Sequence, residues 1–175
     1  MSGSATIRTT DPLEVMWEGK FIRALRRGKW EYVSRANDVR AVVILAEHDG
    51  KMILVDQPRM PLGRRCLELP AGLVGDEDPN ATVEGTAVKE LEEETGFTAA
   101  RIERLGDFYA SPGMLSESFT LVRAHGVTRV GEGGGTHDED IVVHLVARDA
   151  IASFVEQMRA KGFGIDVKLL LFLNY

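Results

Sequence analysis

Residues 89–97 read KELEEETGF, and this segment predicts a helix with three carboxylates on one face. Residues three and four apart on a helix are neighbours, so Glu90, Glu93 and Glu94 should lie together. Like charges at this spacing cost about 0.2–0.5 kcal/mol per pair, and no Lys or Arg follows these glutamates four residues on. Hard oxygen ligands suit Mg²⁺ or Mn²⁺, and Mg²⁺ binds substrate phosphates alongside carboxylates. The pattern therefore predicts a metal site for cleavage of a phosphate ester or a pyrophosphate.

The same helix has sequence signals at both of its ends. Apolar residues recur at helical spacing within residues 83–95, opposite the glutamates. Thr82 is predicted as the N-cap, with Glu84 near the positive helix start, and Gly96 as a left-handed C-cap. Glu92 should point away from the other glutamates.

The composition is that of a folded domain rather than of a disordered chain. The 175 residues are 44% hydrophobic and 27% charged, which predicts one globular unit with a proper core. The net charge of −6 argues against binding to nucleic acid or to an anionic membrane. The basic run RALRRGK at residues 23–29 is short and is interpreted as a solvated hairpin or strand edge.

The single cysteine, Cys66, excludes an internal disulfide and favours a reducing cytoplasm. Residues 1–16 lack a basic start followed by an apolar segment, and no apolar stretch reaches the roughly 18–20 residues of a membrane span. A cytoplasmic protein without a membrane segment is expected.

The order of the elements predicts an α/β (α+β) fold in which a mixed sheet packs between helices. Residues 1–38 are predicted as a tail and an antiparallel hairpin turning at Gly28, and residues 39–175 as the main domain. The predicted strands are residues 15–25, 29–36, 39–46, 52–57, 66–70, 102–110, 118–124 and 141–147, with 39–46 and 52–57 forming a buried hairpin. The predicted loops are residues 71–75 and 131–140, and the later helices are residues 148–161 and 166–175.

The segment from Gly72 to Phe97 resembles the Nudix box, G-x5-E-x7-R-E-U-x-E-E-x-G-U, where U is a bulky apolar residue. The second half matches, with Lys89 in the place of arginine. The first half departs from the pattern: counted from Gly72 the loop is three residues longer, and counted from Gly75 the first glutamate is replaced by Ala81. The residues that could take over the role of that glutamate are Asp76, Glu77 and Asp78.

Further matches over residues 15–175 resemble the ADP-ribose/ADP-sugar pyrophosphatase branch of that family. They are WEYVSR at 30–35, QPRMPLGRRCLELPAGLV at 57–74, SPG at 111–113 followed by Glu117, and DEDIVVHLV at 138–146. The resemblance implies a Nudix-type α/β/α sandwich whose N-terminal strands cross to a partner subunit. A homodimer with a shared adenine site is therefore expected.

The resemblance also implies the residues of the catalytic centre. Glu90, Glu93 and Glu94, with the main-chain carbonyl of Ala71, would hold one to three Mg²⁺ ions, with Mn²⁺ as a possible substitute. Glu93, Glu94 and Glu139 are the expected catalytic residues, with Glu139 as the general base. Asp138, Asp140 and His137 stay open as alternatives to Glu139, and so does the interpretation of residues 137–140 as a solvated loop.

The expected substrate-binding residues come from separate motifs. Trp30 would stack on adenine, although it could equally be a packing residue. Arg35 and Arg59 would pair with phosphates, because arginine offers two parallel donors. Glu117 is a weaker candidate for contact with ribose or metal.

The expected reaction is Mg²⁺-dependent hydrolysis of the pyrophosphate bond of ADP-ribose, or of a related nucleoside diphosphate sugar, to AMP and a sugar phosphate. Hydrolysis of GDP-mannose or of a dinucleoside polyphosphate is the alternative within the same class. A non-catalytic ADP-ribose-binding module is the alternative from another class, and the intact set of glutamates argues against it. A nucleic-acid substrate is disfavoured by the acidic charge.

Overall fold

The computed structural model describes residues 9–37, 39–76, 78–136 and 139–174. The chain divides into two compact units, of which one comprises Met1–Asp38 with Ser111–Glu117 and the other comprises Val39–Ala110 with Ser118–Tyr175. Glu77, His137 and Asp138, which were named as candidates from the sequence, lie outside the described residues.

Short antiparallel and parallel strands make up most of the described secondary structure. The strands are β1 Leu13–Glu18, β2 Ile22–Arg27, β3 Trp30–Arg35, β4 Arg40–Leu45, β5 Glu47–His48, β6 Lys51–Arg59, β7 Arg64–Glu68, β8 Ala71–Val74, β9 Phe97–Thr98, β10 Arg101–Tyr109, β11 Ser118–His125, β12 Thr128–Arg129, β13 Val142–Ala147 and β14 Gly164–Ile165.

Two α-helices and three 3₁₀ segments complete the elements. They are α1 Val83–Thr95 and α2 Ile151–Ala160, with 3₁₀ turns at Met60–Leu62, Arg148–Ala150 and Val167–Asn174. None of the helices in the described ranges is long and apolar enough to cross a membrane.

The ends of α1 are where the sequence predicts them. The Oγ1 of Thr82 accepts a hydrogen bond from the main-chain N–H of Gly85 at 3.1 Å. Gly96 adopts φ 75°, in the left-handed region, and its N–H bonds to the carbonyl of Glu92. Both caps are local interactions, which explains why they can be predicted from a few neighbouring residues.

The unit that contains the N-terminus is built on one antiparallel sheet in the order β1-β2-β3. The prediction of a single strand over residues 15–25 was wrong, because the chain turns near Gly19 and forms two paired strands there. The hairpin between β2 and β3 turns at Gly28, which has φ 58°, as predicted. The segment Ser111–Glu117 joins this unit through two main-chain hydrogen bonds with Val33. The N–H of Val33 donates to the carbonyl of Met114, and the N–H of Ser116 donates to the carbonyl of Val33.

The larger unit contains two main sheets, each with parallel and antiparallel pairs. Their orders are β10-β11-β4-β8 and β13-β6-β7-β14, with β5 paired to β6. Successive residues of β4 pack into two different hydrophobic clusters. Val43 and Leu45 lie in the cluster that includes residues of α2. Val42 and Ile44 lie in the cluster that includes residues of α1. The predicted arrangement of a mixed sheet between helices is therefore confirmed.

Two predicted elements of this unit were wrong in detail, and the predicted final helix was found in a tighter form. Residues 71–75 are not a loop: residues 71–74 form β8, because they find a partner in β4. Residues 39–46 and 52–57 do not form a simple hairpin, since the two-residue strand β5 pairs with β6 and β4 joins the other sheet. The last segment is a 3₁₀ helix and not an α-helix.

Cys66 is buried in β7, and its thiol is expected to be unreactive in the folded protein. Burial, followed by the nearby charges of Glu68 and Asp166, raises the pKa of Cys66 to about 12. The thiolate is the nucleophile, so at pH 8 the folded protein should react with an aromatic disulfide reagent at least about 100-fold more slowly than the unfolded protein. Measuring both rates, without and with guanidinium, checks this. Equal rates would contradict the buried environment of Cys66.

Candidate active site

Helix α1 lies against strand β8, and a glycine permits the close approach. A Cβ added at Gly72 would stand 2.1 Å from Cδ of Glu90, so a larger residue would displace that side chain. In the pairing of β8 with β4, Gly72 is opposite Val42 and Ala71 is opposite Val43. The Glu90 carboxylate therefore rests on the backbone of a strand that is held in place by the sheet.

Glu94 is the most buried glutamate of α1, with 4% of its surface exposed. The main-chain N–H of Ala71 donates a hydrogen bond to its Oε2 at 3.1 Å. Burial raises the pKa of Glu94 to about 8; the Ala71 hydrogen bond opposes the rise, and the negative charges of Glu90 and Glu139 add to it. A cation among these carboxylates would favour their ionised forms, because an opposite charge lowers a carboxyl pKa.

Glu93 is partly exposed and lies near a lysine of its own helix. Nζ of Lys89 is 3.9 Å from Oε2 of Glu93. This counter-charge precedes Glu93 by four residues and was not predicted, because the predicted cost of the carboxylates rested on the residues that follow them. An exposed i,i+4 ion pair contributes only about 0.3–0.5 kcal/mol, which leaves Glu93 available to a divalent cation. Glu92 is exposed, as predicted.

The glycine-rich loop that precedes β13 is attached to the C-terminal end of α1. The N–H groups of Gly134 and Gly135 donate to the carbonyls of Glu94 and Glu93, each at 2.9 Å. A Cβ added at Gly135 would stand 2.6 Å from Oε2 of Glu139, so the candidate base packs against this loop. The structure thus brings Glu139 to the same end of the helix as Glu93 and Glu94.

Arg59 lies within electrostatic reach of the carboxylate cluster but is already paired. Its Nε and one terminal nitrogen donate to the two carboxylate oxygens of Glu68, both at 2.7 Å. This pairing raises the pKa of Arg59 above its usual range, and the charge of Glu94 adds to the effect. Glu68 itself is 5% exposed. Glu68 lies in the segment 57–74 and had no predicted role. The structure indicates that Glu68 orients the guanidinium of Arg59.

The other predicted substrate-binding residues belong to the unit that contains the N-terminus. Trp30 begins β3 and is exposed. Arg35, at the end of β3, donates from Nε to Oε1 of Glu117 at 2.5 Å. The predicted role of Arg35 in phosphate binding would require this ion pair to open or to share its donors with the substrate.

A network of ionisable side chains around the buried Asp56 was not predicted from the sequence. Asp56 of β6 bonds to Arg65 of β7 and, at 2.6 Å, to Nε2 of His144 of β13. Arg65 also binds the side chain and the main chain of Asp140, at 2.6 and 2.9 Å. The only sequence signal is the presence of polar residues within otherwise apolar strands, which does not show that they meet.

The donors around α1 are the kind that Mg²⁺ prefers. The carboxylates of Glu90, Glu93 and Glu94 and the carbonyl of Ala71 are hard oxygen ligands. Among residues 9–37, 39–76, 78–136 and 139–174, no three Asp, Glu, His or Cys side chains are grouped closely enough to hold a metal ion. Binding of a cation would therefore require other rotamers of these glutamates, and the cation would offset the repulsion that the charge of Glu90 exerts on Glu94.

Comparison with known proteins agrees with this arrangement. The model of the NUDIX domain matches residues 36–159, a segment that includes α1, β8 and Glu139. A crystal structure described as an ADP compounds hydrolase superposes with a TM-score of 0.66 at 20% identity, covering 83% of this chain and 80% of that chain. That likeness confirms the expected Nudix-type fold.

Two curated relatives show the range of names among similar sequences. The ADP-ribose pyrophosphatase of Bacillus subtilis (strain 168) is 49% identical over 79 residues, which are 44% of this chain and 40% of that protein. The GDP-mannose pyrophosphatase of Yersinia pestis (strain Pestoides F) is 29% identical over 167 residues, 90% of this chain and 77% of that protein. The chain thus aligns with less than half the length of the first relative and with most of the second. Together these matches confirm the resemblance to the ADP-ribose pyrophosphatase branch.

Proposed function

The chain belongs to the NUDIX family, and from that premise we propose that it hydrolyses the pyrophosphate bond of ADP-ribose or of a related nucleoside diphosphate sugar. The products are AMP and a sugar phosphate. The observation that carries the proposal is the position of two glutamates of α1 on β8: Glu90 packs on Gly72, and Glu94 accepts a hydrogen bond from the N–H of Ala71 and lies within electrostatic reach of Glu90 and Glu139. Such an arrangement is costly in the absence of a cation and fits the binding of a metal-bound diphosphate.

Mg²⁺ is the proposed metal, with Mn²⁺ as a substitute. When bound, it neutralises charge on the diphosphate and lowers the pKa of an attacking water. Glu90, Glu93 and Glu94 and the carbonyl of Ala71 would hold it. The hydrogen bond from the N–H of Ala71 keeps Glu94 next to that peptide, and Gly72 leaves room for Glu90.

Glu139 is the proposed general base. In the reaction, the oxygen of a water molecule forms a bond to one phosphorus of the diphosphate, and the bond from that phosphorus to the bridging oxygen breaks. The proton of the water passes to Glu139, and the electron pair of the broken bond stays on the leaving phosphate. The contacts of Glu139 with Thr136 support this role, because the N–H and hydroxyl of Thr136 donate to Oε2 at 2.8 and 3.2 Å and orient the carboxylate.

The proposed substrate-binding residues are Arg59, Trp30, Arg35 and Glu117. Arg59 would pair with a phosphate, with Glu68 holding its guanidinium plane. Trp30 is proposed to stack on the base, Arg35 to contact a phosphate and Glu117 to contact the ribose. The exposed indole of Trp30 supports its assignment, since a stacking face has to be accessible.

A homodimer is proposed, in which residues 1–38 form a dimerisation region and residues 39–175 the catalytic domain. The sheet β1-β2-β3 leaves large apolar side chains exposed, among them Trp17, Phe21 and Trp30. A concentration of such residues is typical of interaction surfaces. The proposed location is the cytoplasm, which agrees with the free thiol of Cys66.

Hydrolysis of GDP-mannose is the second candidate, favoured by the relative that aligns over 90% of this chain. A panel of ADP-ribose, ADP-glucose, GDP-mannose, a diadenosine polyphosphate and dGTP separates the candidates by kcat/KM. The proposal predicts the highest value for ADP-ribose. A higher kcat/KM for GDP-mannose would favour GDP-mannose hydrolysis as the function.

Arg59→Lys should raise KM for ADP-ribose about tenfold while kcat stays within about threefold. Lysine keeps the charge beside Glu68 but loses the fork of two donors, and a loss of about 1.4 kcal/mol of uniform binding raises KM tenfold. Steady-state kinetics check this, with Arg64→Lys on the exposed neighbouring position as the control. A fall in kcat at constant KM would instead assign Arg59 to the transition state.

A further inference from the structure

The charged network around Asp56 links the interior of a sheet to the residue that follows Glu139. Asp56 is 2% exposed and is bonded on one side by Nε of Arg65 and on the other by Nε2 of His144. A buried carboxylate is stable only when it is paired and hydrogen-bonded, so these two partners fix its position and are in turn fixed by it. The guanidinium of Arg65 therefore has a rigid attachment.

The remaining donors of Arg65 reach the loop. One terminal nitrogen donates to Oδ2 of Asp140 at 2.6 Å, and the other donates to the main-chain oxygens of Asp140 and Asp56 at 2.9 and 3.0 Å. A main-chain contact restrains the backbone itself and not only a side chain. Arg65 thus joins β6 directly to the side chain and the main-chain carbonyl of Asp140, the residue that follows Glu139.

The part of the loop that precedes Glu139 is held by a separate set of contacts. The main-chain bonds of Gly134 and Gly135 attach it to the end of α1, and Thr136 donates to the Glu139 carboxylate. Arg65 holds Asp140, the residue that follows Glu139. Glu139 is consequently placed relative to both the helix with the candidate metal ligands and the sheet.

We propose that Arg65 is a positioning residue for Glu139, acting through Asp140 from its attachment to Asp56 and His144. The inference rests on the proposed function insofar as it gives Glu139 the role of base. Asp140 then serves as the anchor of the loop, because its carboxylate is occupied by Arg65. This role removes Asp140 from the alternatives for the base.

Two variants test whether the contact between Arg65 and Asp140 affects catalysis without unfolding the protein. Arg65→Lys keeps a cation beside Asp56 but loses the fork that reaches both aspartates, and Asp140→Ala leaves the pairing of Asp56 intact. Each should lower kcat for ADP-ribose by about 10- to 100-fold, the usual cost of a misplaced catalytic group, while KM stays within about threefold. Arg159→Gln, which breaks an exposed ion pair with Glu156 on α2, is the matched control and should leave both constants unchanged.

Combining each variant with Glu139→Gln tests whether the effect passes through Glu139. If it does, Arg65→Lys and Asp140→Ala should have no further effect on kcat in the Glu139→Gln protein, whereas independent effects would multiply. Full multiplication of the two losses would overturn the inference, and so would a wild-type kcat in both single variants.

Hydrogen exchange supplies a readout that does not depend on activity. The amides of residues 139–141 should exchange at least about tenfold faster in Arg65→Lys and Asp140→Ala than in the wild type and in Arg159→Gln, at equal thermal stability. If the wild type hydrolyses no member of the nucleotide panel, the proposed function fails while faster exchange still supports the anchor. Unchanged exchange in both variants would overturn the anchor even in an active enzyme.

Discussion

Glu93→Gln should lower kcat for hydrolysis of ADP-ribose by about 100- to 1,000-fold. The substitution keeps the shape of the side chain but removes the negative charge proposed to hold the metal, and an electrostatic contribution of about 3–4 kcal/mol to the transition state corresponds to this loss. The main-chain carbonyl of Glu93, which binds Gly135, is unaffected, so the loop should stay in place. Steady-state rates at saturating Mg²⁺ measure the effect.

Glu92→Gln is the matched control for this experiment. It makes the same change on the adjacent residue of α1, whose side chain is exposed. Its kcat should be within about twofold of wild type, as expected for a surface substitution. Normal activity of Glu93→Gln, in a protein that melts at the wild-type temperature, would overturn the assignment of Glu93 as a metal ligand.

Glu139→Gln should lower kcat by about 100- to 10,000-fold with little change in KM, because general base catalysis contributes a factor of this size. Glutamine retains an oxygen that can accept the hydrogen bonds from Thr136, so the change removes the basic group and preserves the loop contact. Steady-state kinetics with ADP-ribose measure kcat and KM.

Glu132→Gln provides the comparison within the same loop. The Glu132 side chain is almost fully exposed and forms a surface ion pair with Arg129. Its kcat and KM should match the wild type, as expected for a surface substitution. An unchanged kcat in Glu139→Gln would move the base to another residue of the 137–140 segment and would remove the basis for a positioning role of Arg65.

The features that the sequence predicts well are the local ones. Thr82 and Gly96 cap α1 through bonds to residues three or four positions away, so a short window contains all the information. The same is true of the turn at Gly28. The placement of the apolar face of α1 also follows from periodicity, and Ala87 and Leu91 lie in the core as expected.

The features that the sequence does not predict depend on pairing between distant segments. Residues 71–74 look like a glycine-containing loop until β4 supplies a partner, and the hairpin after β4 is shortened because β4 pairs with β11 instead. Strand register is set by such tertiary partners and not by the propensity of the strand itself.

The charged pairs of the candidate site illustrate the same point. Arg59 and Glu68 are nine residues apart, as are Asp56 and Arg65, and they meet because β6 and β7 are antiparallel neighbours. No helical or local spacing indicates such a contact. The glutamates of α1 could be singled out from the sequence, whereas the residues that hold Arg59 and Asp140 required the fold.

The most direct test of the central claim is the formation of AMP from ADP-ribose by the purified 175-residue chain, with Mg²⁺ and with excess EDTA. The account predicts AMP and ribose 5-phosphate in equal amounts with Mg²⁺, and a loss of at least about 100-fold in rate with EDTA, since the carboxylate cluster alone does not neutralise the diphosphate. Tight binding of ADP-ribose by the folded protein with no metal-dependent turnover of any nucleotide in the panel would contradict it and would favour a binding module.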